Sequence, residues 1–410
     1  MKRNLSLRIE KLLMEFPVVC ILGARQVGKT TLARQLRPDW RYIDLQKPSD
    51  RDRVLTDPEW FFKENPERLI LDEAQMHPVL FEILRGVIDD QRQKKGRFIL
   101  TGSSSPDLLK NIAESLAGRV AVVELATLKM NEIAEAPLSD FYRWFTQPMK
   151  SWTKNELTIN TNPLPRGVIE TAWFSGGYPE IVLARDLEAR NNWFEFYEKS
   201  YLYRDISALF PSLDKENFQR FLRALAHLSG TILNKAELAR DIEIGQASVS
   251  RYLSIAEGTF LWRQQLSLEK SDYKSLVKMP KGHISDSGLL HYLTVMQSVD
   301  YLKQHPMVGR SFEGFVIEEI MKGLTALSIG SWKPYYYRTK HGAEIDLILE
   351  GQFGLVPIEI KYGVQIDKKR LKTLDDFIQR EQLPFGLLIN QSEQIEWLNS
   401  RILQIPVGYL

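Results

Sequence analysis

Cysteine is almost missing from this chain: of 410 residues only Cys20 is one, which excludes an intramolecular disulfide framework and a cysteine-rich zinc site. Cys20 stands in an apolar run and reads as a small buried hydrophobe. No stretch approaches the roughly 18 consecutive apolar residues that argue for a membrane span. The opening MKRNLSLRIEKLLMEF is charged and amphipathic without a continuous apolar core. It therefore does not read as a signal peptide, and a cytoplasmic location is the expectation. An excess of one charge is lacking too. Lys and Arg number 54 against 52 Asp and Glu, a formal net charge of +2, so any nucleic-acid surface has to be a local patch. Internal repeats and low-complexity tracts are also absent.

What remains is an ordinary globular composition, 44% hydrophobic and 26% charged. The length exceeds what one hydrophobic core usually supports, so roughly two to four compact units are expected. Residues 1–130 alternate apolar runs with helical segments: VVCIL, TLARQL, RYIDL, RLILDEAQ, PVLFEILRGVIDD, RFILTGSS. Short apolar strands separated by helices predict an α/β fold with a parallel sheet covered on both faces. Residues 131–212 are helical and irregular, with a Pro- and Asn-containing stretch, TINTNPLPRG, and a turn at SGGYPE. There Trp193, Tyr197, Tyr201 and Leu202 fall at helical spacing and read as a packing stripe. Residues 213–275 contain FLRALAHL, ELARDI, ASVSRYLSIAEGTF and LWRQQLSL, three short helices and a strand that predict a winged helix-turn-helix. Residues 276–410 place a helix around SFEGFVIEEIMKGL before YYYRT, EIDLIL, GLVPIEIKYG and PFGLLIN, an α+β order.

The fragment CILGARQVGKTTLARQL, residues 20–36, completes GxxxxGK[ST] with Gly23, Gly28, Lys29 and Thr30. An apolar strand leads in at Val18 to Leu22 and a helical pattern starts at Lys29, the layout of a phosphate cradle. Glycine lets backbone N–H groups turn toward phosphate, Lys29 adds a point charge, and the Thr30 hydroxyl can ligate Mg²⁺. The predicted phosphate-binding stretch is Gly23, Ala24, Arg25, Gln26, Val27, Gly28, Lys29, Thr30 and Thr31. A second strand, RLILDEAQ, ends in two acids. Asp72 can bind Mg²⁺ through water and Glu73 can orient and deprotonate an attacking water, whereas a solvated acidic turn is the plain alternative. At the end of FILTGSSS, Ser103 is placed to contact a γ-phosphate or position water, in competition with Thr101 and Ser104. Arg119, in SLAGRV, is a candidate for transition-state charge stabilisation in a neighbouring subunit's site, were the chain a homo-oligomer; a surface arginine is the alternative.

Together GARQVGKTTL, LILDEAQ, FILTGSSS and LAGRV resemble the AAA-type ATPases of bacteria and archaea that carry a C-terminal domain of unknown function related to PD-(D/E)XK nucleases. SGGYPE, YRDI, KMPKGHISDSGLL and GRSFEGFVIEEI are similar to that family too. The resemblance implies a P-loop ATPase core over 1–130, a helical lid and linker over 131–212, a winged helix-turn-helix over 213–275, and a restriction-endonuclease-like domain over 276–410. It also implies ATP and Mg²⁺ as cofactors and DNA as a partner.

A second acidic group lies in EIDLIL and PIEIKYG. Alternation puts Asp346 with Glu344 and Ile348 on one strand face, and Glu359 with Lys361 on the next. If Gln352 and Phe353 are the loop of a hairpin, Asp346 faces Glu359 with Cβ atoms roughly 4.5–5.5 Å apart. Carboxylates that close repel unless a cation sits between them; Mg²⁺ would satisfy both, and Lys361 could stabilise or deprotonate a nucleophilic water. The arrangement resembles the PD-(D/E)XK catalytic core, which implies a helical glutamate, Glu313 ahead of Glu318. The proline of that motif is missing, and the wet face of a hairpin is the competing explanation. In the winged-helix stretch Val249, Leu253 and Ile255 are expected inside and Gln246, Ser248, Ser250 and Arg251 outside, with Lys235, Arg240, Arg251 and Arg263 to contact a nucleic-acid backbone. Three functions follow as expectations: an ATPase acting on DNA, a metal-dependent DNA endonuclease, and an ATP-gated regulatory switch with a degenerate nuclease fold.

Overall fold

The computed structural model describes residues 1–103, 114–152, 157–206, 210, 212–269, 279–339, 342–364 and 371–410, with the backbone alone for 202–205. The chain divides into two compact units, one formed by Lys2–Leu128 and Leu253–Leu261, the other mainly by Lys129–Tyr252 and Trp262–Leu410.

In the first unit the strands are β1 Val18–Gly23, β2 Arg41–Asp44, β3 Leu69–Asp72, β4 Phe98–Ser103 and β5 Val120–Glu124. They form one sheet in the order β2-β3-β4-β1-β5, and every pairing is parallel. Each residue of β1, β3 and β4 is buried, which is why these strands read as continuous apolar runs and not as alternation. Side chains from the sheet, among them Val18, Cys20, Leu71 and Leu100, pack with Phe61, Phe62, Leu80, Phe81, Leu84 and Ile88. The last four recur at helical spacing on the helix Val79–Asp89. Cys20 is buried as expected, and burial pushes its thiol up to about 12.

In this order β4 separates β1 from β3. Parallel pairing sets Gly23 beside Ser103 at the carboxyl ends of β1 and β4, and β3 ends nearby in Asp72. Three segments far apart in sequence thus deliver polar groups to one edge of the sheet.

The second unit holds β6 Thr231–Ile232, β7 Trp262–Ser267, β8 Lys281–Ile284, β9 Trp332–Arg338, β10 Glu344–Gly351, β11 Gly354–Ile360, β12 Gly386–Asn390, β13 Glu396–Trp397 and β14 Ile402–Pro406. They join in a nine-stranded sheet of order β13-β14-β12-β11-β10-β9-β7-β8-β6. Before β7 come the helix Lys215–His227, then β6, the helix Lys235–Asp241 and the helix Gln246–Gly258. Strands β6 and β7 both pair antiparallel with β8.

The hairpin of β10 and β11 turns at Gln352 and Phe353, with Gly351 paired to Gly354 and Leu347 to Ile358. That is the expected register from Leu347 to the turn. Strict alternation along β10 does not hold. Its pairing with β9 shifts between Ile345 and Ile348, a bulge that puts both isoleucines in one cluster with Leu374, Phe377 and Ile378 of the helix Lys372–Arg380. Ile348 therefore does not share the face of Asp346 as alternation predicted, and Ile345 through Leu349 are all buried.

Two turns explain glycines of the SGGYPE and DSGLL segments. Gly176 has φ +78, and a Cβ there would lie 2.2 Å from an Asp286 carboxylate oxygen; at Gly288 it would lie 2.0 Å from the Ser175 carbonyl. The aromatic stripe packs as expected: Trp193 stacks on Tyr197 at 5.0 Å, and the hydroxyls of Tyr197 and Tyr178 are 3.1 Å apart. The side chain of Leu202 lies outside the described residues.

Candidate functional site

The loop after β1 is shaped by three backbone positions. Gly23 admits no side chain, because a Cβ would lie 2.2 Å from the Leu125 carbonyl oxygen. Gln26 takes φ 64 and Gly28 φ 92, left-handed conformations of the kind found in anion-binding nests, before the helix Lys29–Leu36 begins. Lys29 is 5% exposed and donates to the carbonyl oxygens of Gly23 at 3.1 Å and Ala24 at 2.8 Å, so its charge sits inside the curve of the loop. Burial pulls its ammonium below the ordinary lysine range, and the carboxylates of Glu73 and Asp72 pull the other way. Ala24 and Val27 are buried, Arg25 is half-buried, and Thr31 faces solvent on the helix.

Thr30, in the first turn of that helix, meets β3. Its hydroxyl lies 2.9 Å from each carboxylate oxygen of Asp72. Asp72 also accepts from the Tyr42 hydroxyl at 2.7 Å and from Thr101. This is an oxygen-only donor set around a buried carboxylate, the chemistry Mg²⁺ requires. Glu73 follows with φ 57 and ψ 43, which turns the chain out of the strand. Its carboxylate accepts from Ser103 Oγ at 3.0 Å and from the Gln75 amide. The period of a strand puts Thr101 and Ser103 on one face of β4, Thr101 on Asp72 and Ser103 on Glu73. Ser104 lies outside the described residues.

Arg119 does not join this group in its own chain. It precedes β5, where its carbonyl accepts from the N–H of Val18, at the end of β1 away from Gly23. Its guanidinium forms a two-bond fork with exposed Asp89, both bonds 2.7 Å.

The acidic cluster of the second unit assembles around two lysines. Lys361 pairs with Glu359 at 2.6 Å and Asp346 at 3.4 Å. Lys281, from β8 and 4% exposed, lies 2.6 Å from Glu313, 2.5 Å from Glu344 and 3.9 Å from Asp346. Asp346 also accepts the backbone N–H of Ile360 at 2.8 Å. Burial, reinforced by the charge of Asp346, pushes Glu313 and Glu359 each up to about 8, with Lys281 and Lys361 opposing. Burial pulls Lys281 down, but Glu313, Asp346 and Glu344 outweigh it and hold its ammonium above the ordinary range.

The expectation of a divalent cation between Asp346 and Glu359 meets two findings. Ammonium groups take the ground between the acids, and no group of three or more His, Cys, Asp or Glu side chains among the described residues is arranged to hold a metal ion. The buried Glu359 Oε2 and both amide atoms of buried Gln265 have no partner among the described residues, and Gln265 pairs in register with Lys281. Glu318, the second choice for the helical acid, is engaged elsewhere, 2.6 Å from Arg263 and 2.9 Å from His283; despite burial these partners hold it down at about 2. Arg263 is thereby tied into the interior and is not available to a nucleic-acid backbone as expected. Sequence reasoning missed Lys281, Tyr42 and Gln75. Of these only Lys281 carried a signal, as a charged residue inside the strand-like KGHI.

Family comparisons match residues 15–134 to an AAA domain, 167–300 to a domain of unknown function (DUF8612), and 308–410 to another (DUF4143). Two curated relatives, the uncharacterized proteins Rv2008c of Mycobacterium tuberculosis and Mb2031c of Mycobacterium bovis, are each 32% identical over 352 residues, covering 85% of this chain and 71% of theirs. Among solved structures, a Walker-type ATPase of Pyrococcus abyssi has a TM-score of 0.44 at 17% identity, covering 70% of this chain and 94% of that one. RuvB of Thermotoga maritima has a TM-score of 0.30 at 16% identity, covering 67% and 92%. No described helix is long and apolar enough to cross a membrane. The chain belongs to the family of these two mycobacterial proteins, an AAA-type ATPase with a DUF4143 domain in its C-terminal part.

Proposed function

We propose that the chain binds ATP with Mg²⁺ and hydrolyses it. The observation that carries this reading is the meeting of Thr30 and Asp72 at 2.9 Å while the next residue, Glu73, is held by Ser103 from the intervening strand. The backbone N–H groups of Gly23 to Thr31 cradle the phosphates and Lys29 adds its charge. Thr30 and Asp72 would hold Mg²⁺, which when bound neutralises charge on the β- and γ-phosphate oxygens. Glu73 takes a proton from the attacking water, and Ser103 fixes the carboxylate that does so. A catalytic part for Arg119 requires a homo-oligomer that brings it to a neighbour's site.

For the remainder we propose boundaries near residues 130, 212 and 275. The order helix, strand, two helices and two strands over Lys215–Ile284 is that of a winged helix, which supports DNA as a partner. One observation favours the alternative of a regulatory switch over a DNA endonuclease: Lys281 sets an ammonium from within the chain against Glu313, Glu344 and Asp346. With Lys281 and Lys361 among them, those residues do not fit a divalent cation.

ATP turnover of the wild type and Glu73→Gln, with and without single-stranded, duplex and branched DNA, tests both levels. The variant should bind ATP and lose about 10²–10⁴-fold in turnover. Turnover unchanged in the variant overturns the role of Glu73. DNA-stimulated turnover assigns the C-terminal part to nucleic acid, and turnover indifferent to every DNA form assigns it to regulation.

A further inference from the structure

We infer that Gln75 is a positioning residue for hydrolysis, holding the Glu73 carboxylate with its amide N–H groups and offering its carbonyl oxygen to the attacking water. The inference rests on the hydrolase reading above and adds a residue to it.

The local backbone creates the geometry. Glu73 is left-handed, and the short turn Ala74–Met76 follows at once, with the N–H of Met76 on the Glu73 carbonyl at 3.1 Å. This reversal lays the side chain of residue 75 back over residue 73. The Gln75 Nε2 then donates to Glu73 Oε2 and to Ser103 Oγ, the latter at 3.1 Å, while Ser103 donates to the same Glu73 oxygen at 3.0 Å. The three groups close a ring in which one carboxylate oxygen receives two donors.

That ring settles which way the amide faces. Turning it over would set its carbonyl oxygen against a carboxylate oxygen, two acceptors with no proton between them. The carbonyl Oε1 is therefore the atom left over. It is withdrawn from solvent and has no hydrogen-bond partner among the described residues. A buried amide acceptor without a donor is costly, so its persistence next to a catalytic carboxylate calls for a donor supplied during function.

The attacking water is such a donor. It carries two hydrogens: one goes to Glu73, the base, and the other can be held by Gln75 Oε1, which points the oxygen lone pair toward phosphorus. Glutamine serves phosphoryl transfer this way elsewhere. In the step the water oxygen forms a bond to Pγ and the bond from Pγ to the β,γ-bridging oxygen breaks. ADP leaves with that electron pair, and the proton passes to the Glu73 carboxylate. Gln75 exchanges no proton.

The test is Gln75→Leu in the full chain, with Gln75→Glu as a second variant that keeps an acceptor and removes the N–H donors. ATP affinity, read with a fluorescent ATP analogue, should stay within about 3-fold of wild type in Gln75→Leu, because the residue touches the base and not the phosphate loop. The kcat should fall ~100-fold with KM little changed, as for loss of a positioning group. Gln75→Glu should lose kcat as well, since the Glu73 carboxylate then faces an acceptor in place of the N–H donors. Gln75→Leu with kcat within 2-fold of wild type, or a fall in kcat matched by an equal change in KM, overturns the role of Gln75 while leaving the hydrolase reading intact. A wild type that binds ATP and never turns it over overturns both.

Discussion

The ammonium of Lys281 lies 2.6 Å from a carboxylate oxygen of Glu313, on side chains 4% and 12% exposed. Glu344 and Asp346 complete its surroundings. Removing the lysine leaves three acids facing one another with little water to screen them. Lys281→Met should therefore destabilise the protein by about 3–5 kcal/mol, the cost of an uncompensated buried charge. Urea denaturation at pH 7 checks this, and a loss under 1 kcal/mol would show that the acids are neutralised by other means.

Lys29→Ala should abolish nucleotide binding. Its ammonium is buried within the loop, against the Gly23 and Ala24 carbonyls, where no other lysine or arginine of the stretch is buried. Titration with a fluorescent ATP analogue measures this directly. Unchanged affinity in the variant would refute the phosphate assignment.

A pH dependence follows from His291. The ring is fully buried, with Nε2 2.6 Å from Ser311 Oγ and Nδ1 2.9 Å from the Phe174 carbonyl, and burial lowers it to about 3. The unfolded chain takes up that proton near pH 6.5, so the contribution of neutral His291 is complete above 6.5 and is lost as pH falls toward 3. Within that window wild type should lose ~1.4 kcal/mol per pH unit relative to His291→Gln. Urea midpoints at pH 7, 5.5 and 4 test it. A difference between the two proteins that stays constant across those values would exclude the linkage.

The phosphate loop was legible because its residues are contiguous and the strand and helix that frame it carry their own hydrophobic patterns. Asp72 and Glu73 were legible for the same reason, at the end of an apolar run. The hairpin register could be read because a two-residue loop leaves little freedom in what faces what. Lys281 could not be paired in advance, since its acids come from a helix and a strand reached only through the sheet order β10-β9-β7-β8. The bulge in β10 was equally hidden: nothing in EIDLIL marks where the β9 pairing slips. Gln75 looked like a turn residue because its role depends on the left-handed backbone of Glu73, which residue type does not announce.

Cys20 has a further consequence. The one thiol of the chain is 1% exposed and is pushed up to about 12, so at neutral pH it offers almost no thiolate to a reagent. The folded protein is in effect silent toward maleimides and disulfide labels. A single cysteine introduced on its surface becomes a unique handle for a fluorophore or spin label, and either compact unit can be marked without first removing a native sulfur.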